Sequence, residues 1–368
     1  DYKVTGVQKC ALPISPTAER MGPAGQPMAP SQSARTAVGA PTTRLDLSGG
    51  SANDDSRRLR LFSGNANPDL AREIAVYLGV PNGPRVIKRF ADGELYVQIQ
   101  ESIRGCDVFL IQPTCAPVND HLIELLVMVD ACRRASARQI TAVLPYYGYA
   151  RADRKTAGRE SITAKLVANL LVKSGVDRVL AMDLHSGQIQ GYFDIPCDHI
   201  FGAPVLVDYL TTRHLEELVV VSPDVGGVAR ARAFAKKMND APLAIIDKRR
   251  SGHNVAESLN VIGDVAGKTA VLIDDMIDTG GTICQGARLL RRNGAARVLC
   301  CATHAVFSPP ACERLSEPGL FEEVVVTNSI PLSPERRFPQ LRVLSVATML
   351  GEAIWRIHEE SSVSSMLR

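Results

Sequence analysis

Short apolar runs alternate along the chain with longer segments in which apolar residues recur at helical spacing. In the first half, this pattern predicts strands at 59–62, 107–112, 140–144 and 179–182, and helices at 70–78, 121–134 and 162–173. The helix at 121–134 has the clearest apolar face, and Asn119 or Asp120 can cap it. Alternating strands and helices indicate an α/β fold with mainly parallel sheets.

The second half repeats this arrangement. Strands are predicted at 218–221, 243–246, 271–273, 297–303 and 324–327, and helices at 228–238, 283–290 and 349–358. Two strand ends are alike, Leu180–Asp183 and Leu272–Asp275, so a duplicated fold is plausible. We expect a first domain at 58–203, a second at 204–347, and a C-terminal helix and tail at 348–368 that pack back on the first domain.

Residues 1–57 are rich in Ala, Pro, Ser, Thr and Gly and have no sustained period, so we expect them to be disordered. Residues 2–15 are consistent with a cloning or sequence-assembly remnant, and residues 16–57 with a natural extension or a weak organelle transit peptide. We expect a cytoplasmic protein, with a plastid or another organelle as the alternative if this extension is a transit peptide.

Composition excludes several function classes. The net charge of +3 gives no global signal for nucleic acid or membrane binding. No apolar run reaches the roughly 18 residues that a membrane span needs. Nine cysteines without a CxxC pair indicate a reducing compartment, with no disulfide framework and no zinc site.

The segment 271–282 has the most specific pattern in the chain. Three apolar residues lead into Asp274 and Asp275, and a Thr/Gly-rich turn then precedes a predicted helix. Paired carboxylates suit the vicinal hydroxyls of a ribose, and amides at a helix N-terminus suit a phosphate. The alternative is an ordinary turn between a strand and a helix, with its carboxylates exposed to solvent and no role in binding. The pattern resembles the binding loop of type I phosphoribosyl proteins and predicts a ribose 5-phosphate site at Asp274, Asp275, Asp278, Thr279, Gly280, Gly281 and Thr282.

Three further motifs follow predicted strands. Gly226 and Gly227 allow a phosphate or sugar to approach the backbone, and Asp224 beside them is an oxygen ligand of the kind that Mg²⁺ prefers, or simply a helix cap. His185 follows another strand end, where a lone histidine is usually structural. The segment 247–254 has three adjacent cations, which repel one another unless they meet an anion; the alternative is a solvated basic loop.

From about Leu59 to Met366, these motifs together resemble the ribose-phosphate pyrophosphokinase family, in its phosphate-activated class. The resemblance implies two tandem type I phosphoribosyltransferase-like domains, each a mainly parallel sheet flanked by helices, in subunits that form homohexamers. The implied reaction moves the diphosphoryl group of Mg-ATP to the 1-hydroxyl of ribose 5-phosphate for nucleotide biosynthesis. It gives 5-phosphoribosyl 1-diphosphate and AMP, with Mg²⁺ as cofactor and inorganic phosphate as activator.

The resemblance also implies roles for individual residues. Lys248 and Arg250 correspond to the catalytic loop cations, and Asp224 joins the ribose 5-phosphate site. Residues implied for ATP are Phe90, Asp92, Glu94, Arg151, Asp153 and His185, with the Phe90 loop offered to a neighbouring subunit. Implied metal ligands are His185 and Asp224, with Asp183, Asp194 and Asp198 as secondary candidates. Regulatory phosphate or ADP is assigned to Ser102, Arg104, Ser136 and Arg159.

Two alternatives stay open at this stage. One is a phosphoribosyltransferase that consumes phosphoribosyl diphosphate and a base, against which the Phe90 loop and the Asp183/His185 motif argue. The other is a non-catalytic homologue that only assembles with active subunits; it should have lost the loop cations or the ribose acids, and both sets are present.

Overall fold

The computed structural model describes residues 59–249 and 258–367. The first half contains β1 (Leu59–Ser63), α1 (Pro68–Leu78), β2 (Arg85–Arg89), β3 (Leu95–Ile99), β4 (Asp107–Ile111), α2 (Val118–Arg134), β5 (Gln139–Leu144), α3 (Thr163–Ser174), β6 (Arg178–Met182) and β7 (Cys197–Ile200). Five of these strands form a parallel sheet in the order β1-β4-β5-β6-β7. Strands β2 and β3 form a separate antiparallel hairpin.

The second half is built around a larger sheet. Its elements are α4 (Ala203–Thr211), β8 (Leu218–Ser222), α5 (Val228–Lys237), β9 (Leu243–Arg249), β10 (Ser258–Ile262), β11 (Thr269–Ile277), α6 (Gly281–Arg292), β12 (Arg297–Ala305), α7 (Ala311–Leu315), β13 (Glu323–Thr327), β14 (Leu341–Leu344) and α8 (Ala347–His358). The strand order is β10-β9-β8-β11-β12-β13-β14. Every pair is parallel except β9 with β10, so the predicted architecture of two mainly parallel sheets flanked by helices is confirmed.

Apolar side chains cover both faces of each sheet. On one face of the first sheet, α1 and α8 pack together through Leu70, Ile74, Leu350 and Ile354, all fully buried. Gly351 allows this close contact, because a Cβ there would lie 2.4 Å from the ring of Tyr77. The C-terminal helix therefore lies against an element of the first half, although the predicted domain boundaries themselves stay predictions.

The element bounds differ from the predicted ones in three informative places. Strand β11 continues to Ile277, so Asp274 and Asp275 lie within the strand and only the turn from Asp278 follows it. Strand β9 likewise continues to Arg249 and pairs with β10, where the sequence pattern predicts a polar loop from Asp247. The hairpin β2–β3 has no fully buried residue, so the sequence has no continuous apolar run that predicts it.

The predicted cap of α2 is wrong. The helix begins after Pro117, whose fixed φ of −72° starts the turn, and no side chain caps it. Asn119 and Asp120 lie inside the first turn and have other partners: Asn119 accepts from the Tyr149 hydroxyl, and Asp120 lies 3.0 Å from Arg89.

The predicted disordered segment 1–57 lies outside the described residues. Among the helices within 59–249 and 258–367, none is long and apolar enough to cross a membrane.

Candidate functional site

The predicted ribose acids lie at the carboxyl end of a central strand. Strand β11 is paired on one side with β8 and on the other with β12, all parallel. Because parallel strands present their carboxyl ends at one edge, the segment after β8 and the turn after β11 share that edge. This is where an open α/β sheet binds its ligands.

Asp274 and Asp275 form a charged cluster with two side chains from other elements. Arg230, on α5, lies 2.8 Å from Asp274 Oδ1 and 3.0 Å from Asp275 Oδ1. Asp275 is buried, and its Oδ2 lies 2.8 Å from Nδ1 of His185, which follows β6 in the first half. A carboxylate only accepts, so His185 Nδ1 carries the proton and its Nε2 is the nitrogen left for another partner.

The pKa values of the three titratable groups in this cluster are shifted in different directions. Burial, together with the neighbouring Asp275, raises the pKa of Asp274 to about 8. Burial also opposes ionisation of Asp275, but hydrogen bonding by His185 and the charge of Arg230 outweigh it and lower the pKa of Asp275. The hydrogen bond to Asp275 raises the pKa of His185. One carboxyl therefore holds its proton more readily than the other, as expected for acids that share a site.

A second ion pair joins the two halves at the same edge. Arg151, which precedes α3, lies 2.5 Å from Asp278 Oδ2 at the start of the Thr/Gly-rich turn. Asp278 is partly buried; burial opposes its ionisation, while hydrogen bonds from Ser308 and Arg151 lower its pKa. The predicted ATP residues Arg151 and His185 thus each contact a predicted ribose 5-phosphate residue directly.

The turn after β11 provides an anion site made of backbone. Gly280 adopts a left-handed φ of 71°, a conformation that favours glycine, and α6 begins at Gly281 without a side-chain cap. The first amides of α6 are therefore available to an anion, and the helix dipole favours negative charge there. Arg314, on α7, donates to the Thr279 carbonyl at 3.0 Å and lies 3.4 Å from where a Cβ on Gly281 would be.

The segment after β8 is a tight turn around Asp224. Asp224 Oδ1 accepts from the amide of Gly227 at 2.7 Å, and the Ser222 hydroxyl donates to the Asp224 carbonyl at 2.7 Å. This carboxylate is solvent-exposed, which leaves room for a cation at its second oxygen. Within the described ranges, no group of three His, Cys, Asp or Glu side chains could hold a metal alone. Proteins usually bind Mg²⁺ through one or two side chains together with nucleotide phosphates, so a single exposed carboxylate such as that of Asp224 fits this ion.

The three secondary metal candidates have separate partners. Asp183 is buried and accepts from Gly202 N at 2.7 Å and from the Thr303 hydroxyl at 2.5 Å. Asp194 lies 3.5 Å from Lys165, and Asp198 lies 2.6 Å from Arg178. The role of Asp183, Asp194 and Asp198 as secondary metal ligands stays a prediction.

The fold does not bring every other predicted site residue to the carboxyl edge of the second sheet. Lys248 lies in β9, where it pairs with Leu259, and Arg250 lies outside the described residues. Phe90, Asp92 and Glu94 lie on the exposed loop of the β2–β3 hairpin, and the ring centroids of Phe90 and Tyr96 are 6.3 Å apart. The charge of Asp153 contributes to the raised pKa of His185.

Two of the predicted regulatory segments are neighbours. The amide of Gly105, next to Arg104, donates to the Ser136 carbonyl at 2.9 Å, and Ser136 has a left-handed φ of 63°. Arg159 lies in the exposed loop before α3, also with a left-handed φ of 66°. Their regulatory role stays a prediction.

Sequence reasoning missed Arg230 and Arg314. Both lie on helices that follow site segments, Arg230 in the first turn of α5 and Arg314 on the short α7. A cation within one helical turn of a glycine-rich strand end is the signal that could have identified Arg230. Nothing in the sequence near Arg314 indicates its approach to the turn, because that depends on how α7 packs against Gly280.

Comparison with known proteins identifies the family. Residues 59–175 match the N-terminal domain of ribose phosphate pyrophosphokinase, and residues 253–368 match the phosphoribosyl synthetase-associated domain. The chain is 86% identical over 314 residues to the ribose-phosphate pyrophosphokinase of Parasynechococcus marenigrum, covering 85% of this chain and 95% of that protein. It is 78% identical over 299 residues to the protein of the same name from Synechococcus elongatus, covering 81% and 90%.

A solved structure supports the same assignment. The phosphoribosylpyrophosphate synthetase of Mycobacterium smegmatis superposes with a TM-score of 0.79 at 48% sequence identity, and the match covers 83% of this chain and all of that one. High identity over nearly the full length of several relatives, in the same fold, leaves one conclusion. The chain belongs to the ribose-phosphate pyrophosphokinase family.

Proposed function

We propose that this chain transfers the diphosphoryl group of Mg-ATP to the 1-hydroxyl of ribose 5-phosphate, giving 5-phosphoribosyl 1-diphosphate and AMP for nucleotide biosynthesis. The observation that carries the proposal is the pair of contacts between the halves, His185 with Asp275 and Arg151 with Asp278. They place cationic groups suited to a triphosphate directly against acids suited to a pentose. The names and the high identity of the relatives support the same reaction.

Ribose 5-phosphate occupies the carboxyl end of β11 in this proposal. Its phosphate accepts from the backbone amides between Asp278 and Thr282, with the α6 dipole behind them. Its hydroxyls donate to Asp274 and Asp275, which Arg230 holds in place. The contacts of Arg230 and His185 fix the two carboxylates before the sugar arrives, which reduces the entropy lost on binding.

ATP lies on the side of the first half. Arg151 and His185 exchange part of their contacts with Asp278 and Asp275 for the phosphates, and Asp153 lies nearby. Phe90 stacks on the purine, and Asp92 and Glu94 accept from its amino group. These three residues are exposed on a hairpin and have no described contact with the acid cluster, which fits a loop offered to a neighbouring subunit of a homohexamer.

His185 and Asp224 would hold Mg²⁺ together with the ATP phosphates. The ion supplies charge neutralisation and alignment of the phosphate chain. The sugar's 1-hydroxyl attacks the β-phosphorus in line and loses its proton to solvent, while the bond from the β-phosphorus to the α,β-bridging oxygen breaks and AMP leaves with that oxygen. Lys248 and Arg250 stabilise the charge that spreads over the phosphoryl oxygens, so positioning and electrostatics carry the reaction without a dedicated general base.

One assay tests the reaction itself. The full chain is incubated with Mg-ATP and ribose 5-phosphate, with and without inorganic phosphate, and AMP is measured. We expect AMP without any added base, and more of it with phosphate if the chain is of the phosphate-activated class. Base-dependent release of diphosphate from phosphoribosyl diphosphate, with no AMP from ATP, would instead identify a phosphoribosyltransferase. Light scattering checks the hexamer, and cell fractionation checks the proposed cytoplasmic location.

Lys248→Ala tests the proposed charge stabilisation. We expect turnover to fall by about a hundredfold or more, because a cation that acts on the transition state is lost, while ATP affinity stays nearly unchanged. Lys88→Ala is the control, since Lys88 is an exposed cation on β2 and has no proposed part in the reaction. Unaltered turnover in the Lys248 variant would remove this residue from the mechanism.

A further inference from the structure

The segment Asp183–His185, directly after β6, is held at every residue. Asp183 has a left-handed φ of 39°, which is unfavourable for a residue other than glycine. Such a conformation persists only where surrounding contacts fix it. The amide of Leu184 donates to Nε2 of His199 at 3.0 Å, and His185 donates to Asp275 at 2.8 Å. Asp183 contacts its own half through the Gly202 amide and the Ile200 carbonyl, and its remaining contacts come from the other half of the chain.

Asp183 is held by two neighbouring residues of β12. The Thr303 hydroxyl donates to its carboxylate, and Nε2 of the fully buried His304 lies 3.1 Å from its carbonyl oxygen. A carbonyl only accepts, so His304 Nε2 carries a proton. Its Nδ1 lies 2.9 Å from the Ser329 hydroxyl oxygen, and that hydroxyl donates to the Thr303 carbonyl at 3.1 Å. These two contacts fix the direction in which Nε2 points.

Both ends of the segment are held by the same pair of strands. His304 on β12 pairs in register with Met276 on β11, and Asp275 immediately precedes Met276. His304 fixes the backbone at Asp183, while Asp275 fixes the side chain of His185 two residues later. The spacing between these two contacts is set by the ladder between β11 and β12, which is rigid compared with a loop.

We propose that His304 is a positioning residue for the reaction, acting through the Asp183 carbonyl. Its hydrogen bond stabilises the left-handed turn and so aims His185 at Asp275 and at the nucleotide phosphates. The inference rests on the proposed function, because it assigns His304 to the alignment of a residue that contacts ATP. A purely structural buried histidine would stabilise the fold without any specific link to His185.

Two substitutions separate these roles. His304→Leu removes the donor, whereas His304→Gln keeps an amide N–H that can reach the position of Nε2. We expect His304→Leu to lower kcat/KM for ATP by about tenfold, the effect of one lost hydrogen bond that matters in the transition state, and His304→Gln to stay within about threefold of wild type. Ser174→Ala is the control, because the Ser174 hydroxyl also donates to a carbonyl, that of Leu171 at 2.7 Å, but at the end of α3 that leads into β6, the opposite end of this strand from Asp183.

The decisive measurement is a double-mutant cycle with His185→Ala. If His304 acts through His185, the loss caused by His304→Leu shrinks to less than about twofold in the His185→Ala background. The same fold loss in both backgrounds overturns the proposal, as does a loss in Ser174→Ala equal to that in His304→Leu. If His304→Leu does not fold, Thr303→Val, which removes the other β12 contact to Asp183, takes its place in the cycle. An inactive wild-type chain would instead refute the proposed function.

Discussion

The carboxyl ends of β6 and β11 have similar sequences but their acids have different surroundings. Asp183, after β6, accepts from neutral donors, the amide of Gly202 and the hydroxyl of Thr303, and is thereby tied into the fold. Asp274 and Asp275, at the end of β11, face the cation of Arg230 and the imidazole of His185. A strand end followed by Asp therefore predicts where a carboxylate lies, and the partners from other elements decide what it does.

The largest effect on activity is expected at the β11 acids. Asp275→Asn removes the charge that orients His185 and Arg230 and that accepts from a sugar hydroxyl, so kcat/KM for ribose 5-phosphate should fall by about 10²–10³-fold. The measurement is AMP release at saturating Mg-ATP, with circular dichroism to check folding. A fall of less than about threefold in the folded variant would contradict the role of Asp275 in the site.

Replacing the β6 acid should change stability as well as the position of His185. Asp183→Ala leaves two buried donors without an acceptor and places Ala in a left-handed conformation, so the free energy of unfolding should fall by about 3 kcal/mol. Asp183→Asn is the matched control, because its amide oxygen still accepts and Asn tolerates a positive φ; about 1 kcal/mol is expected. Urea denaturation measures both, and equal losses in the two variants would contradict this account.

The sequence predicted most central strands, the longer helices and the glycine-rich turn after β11, because buried parallel strands are continuous apolar runs and this turn has its own glycine signature. It did not predict β7, β10, β14, α4 or α7. It did not predict that β11 and β9 extend past their apolar residues. Backbone pairing with the neighbouring strands, and not the local sequence, sets where these two strands end. The hairpin β2–β3 was missed because its residues are only partly buried.

The partners of the acids were equally beyond local patterns. Arg230 and His185 come from elements far from β11 in sequence, and Arg314 reaches the turn only because α7 packs on Gly280. His304 is a polar residue in a buried strand, and nothing in the local sequence indicates its contact with Asp183. Contacts across the two halves depend on tertiary packing, which no window along the sequence contains.

A smaller effect is expected where a side chain supplements the backbone site. Arg314→Met removes the guanidinium beside Thr279 and Gly281, so KM for ribose 5-phosphate should rise by about five- to tenfold while KM for ATP stays unchanged. Arg288→Met is the control, because Arg288 on α6 is already paired with Glu317. Steady-state kinetics with each substrate varied distinguishes them, and an equal change in both variants would exclude a specific role for Arg314.

The smallest effect concerns the pH dependence of stability. The folded chain raises the pKa of Asp274 from 3.8 to about 8, so between these values the folded state keeps a proton that the unfolded chain has released, and stability falls as pH rises through this range. His185, whose pKa is also raised, adds a loss in the same direction above its ordinary value of 6.5. Asp275 has a lowered pKa, so the stability that its carboxylate contributes is lost only at acidic pH.

Asp274→Asn isolates the first of these contributions. Urea unfolding of the ligand-free chain should show a fall in the free energy of unfolding of on the order of 1 kcal/mol between about pH 6 and pH 8.5, and a shallower fall in Asp274→Asn, because Asn does not titrate. Parallel curves for wild type and Asp274→Asn would mean that the two β11 acids do not share a proton, and the contrast between the two strand ends would then rest on contacts alone.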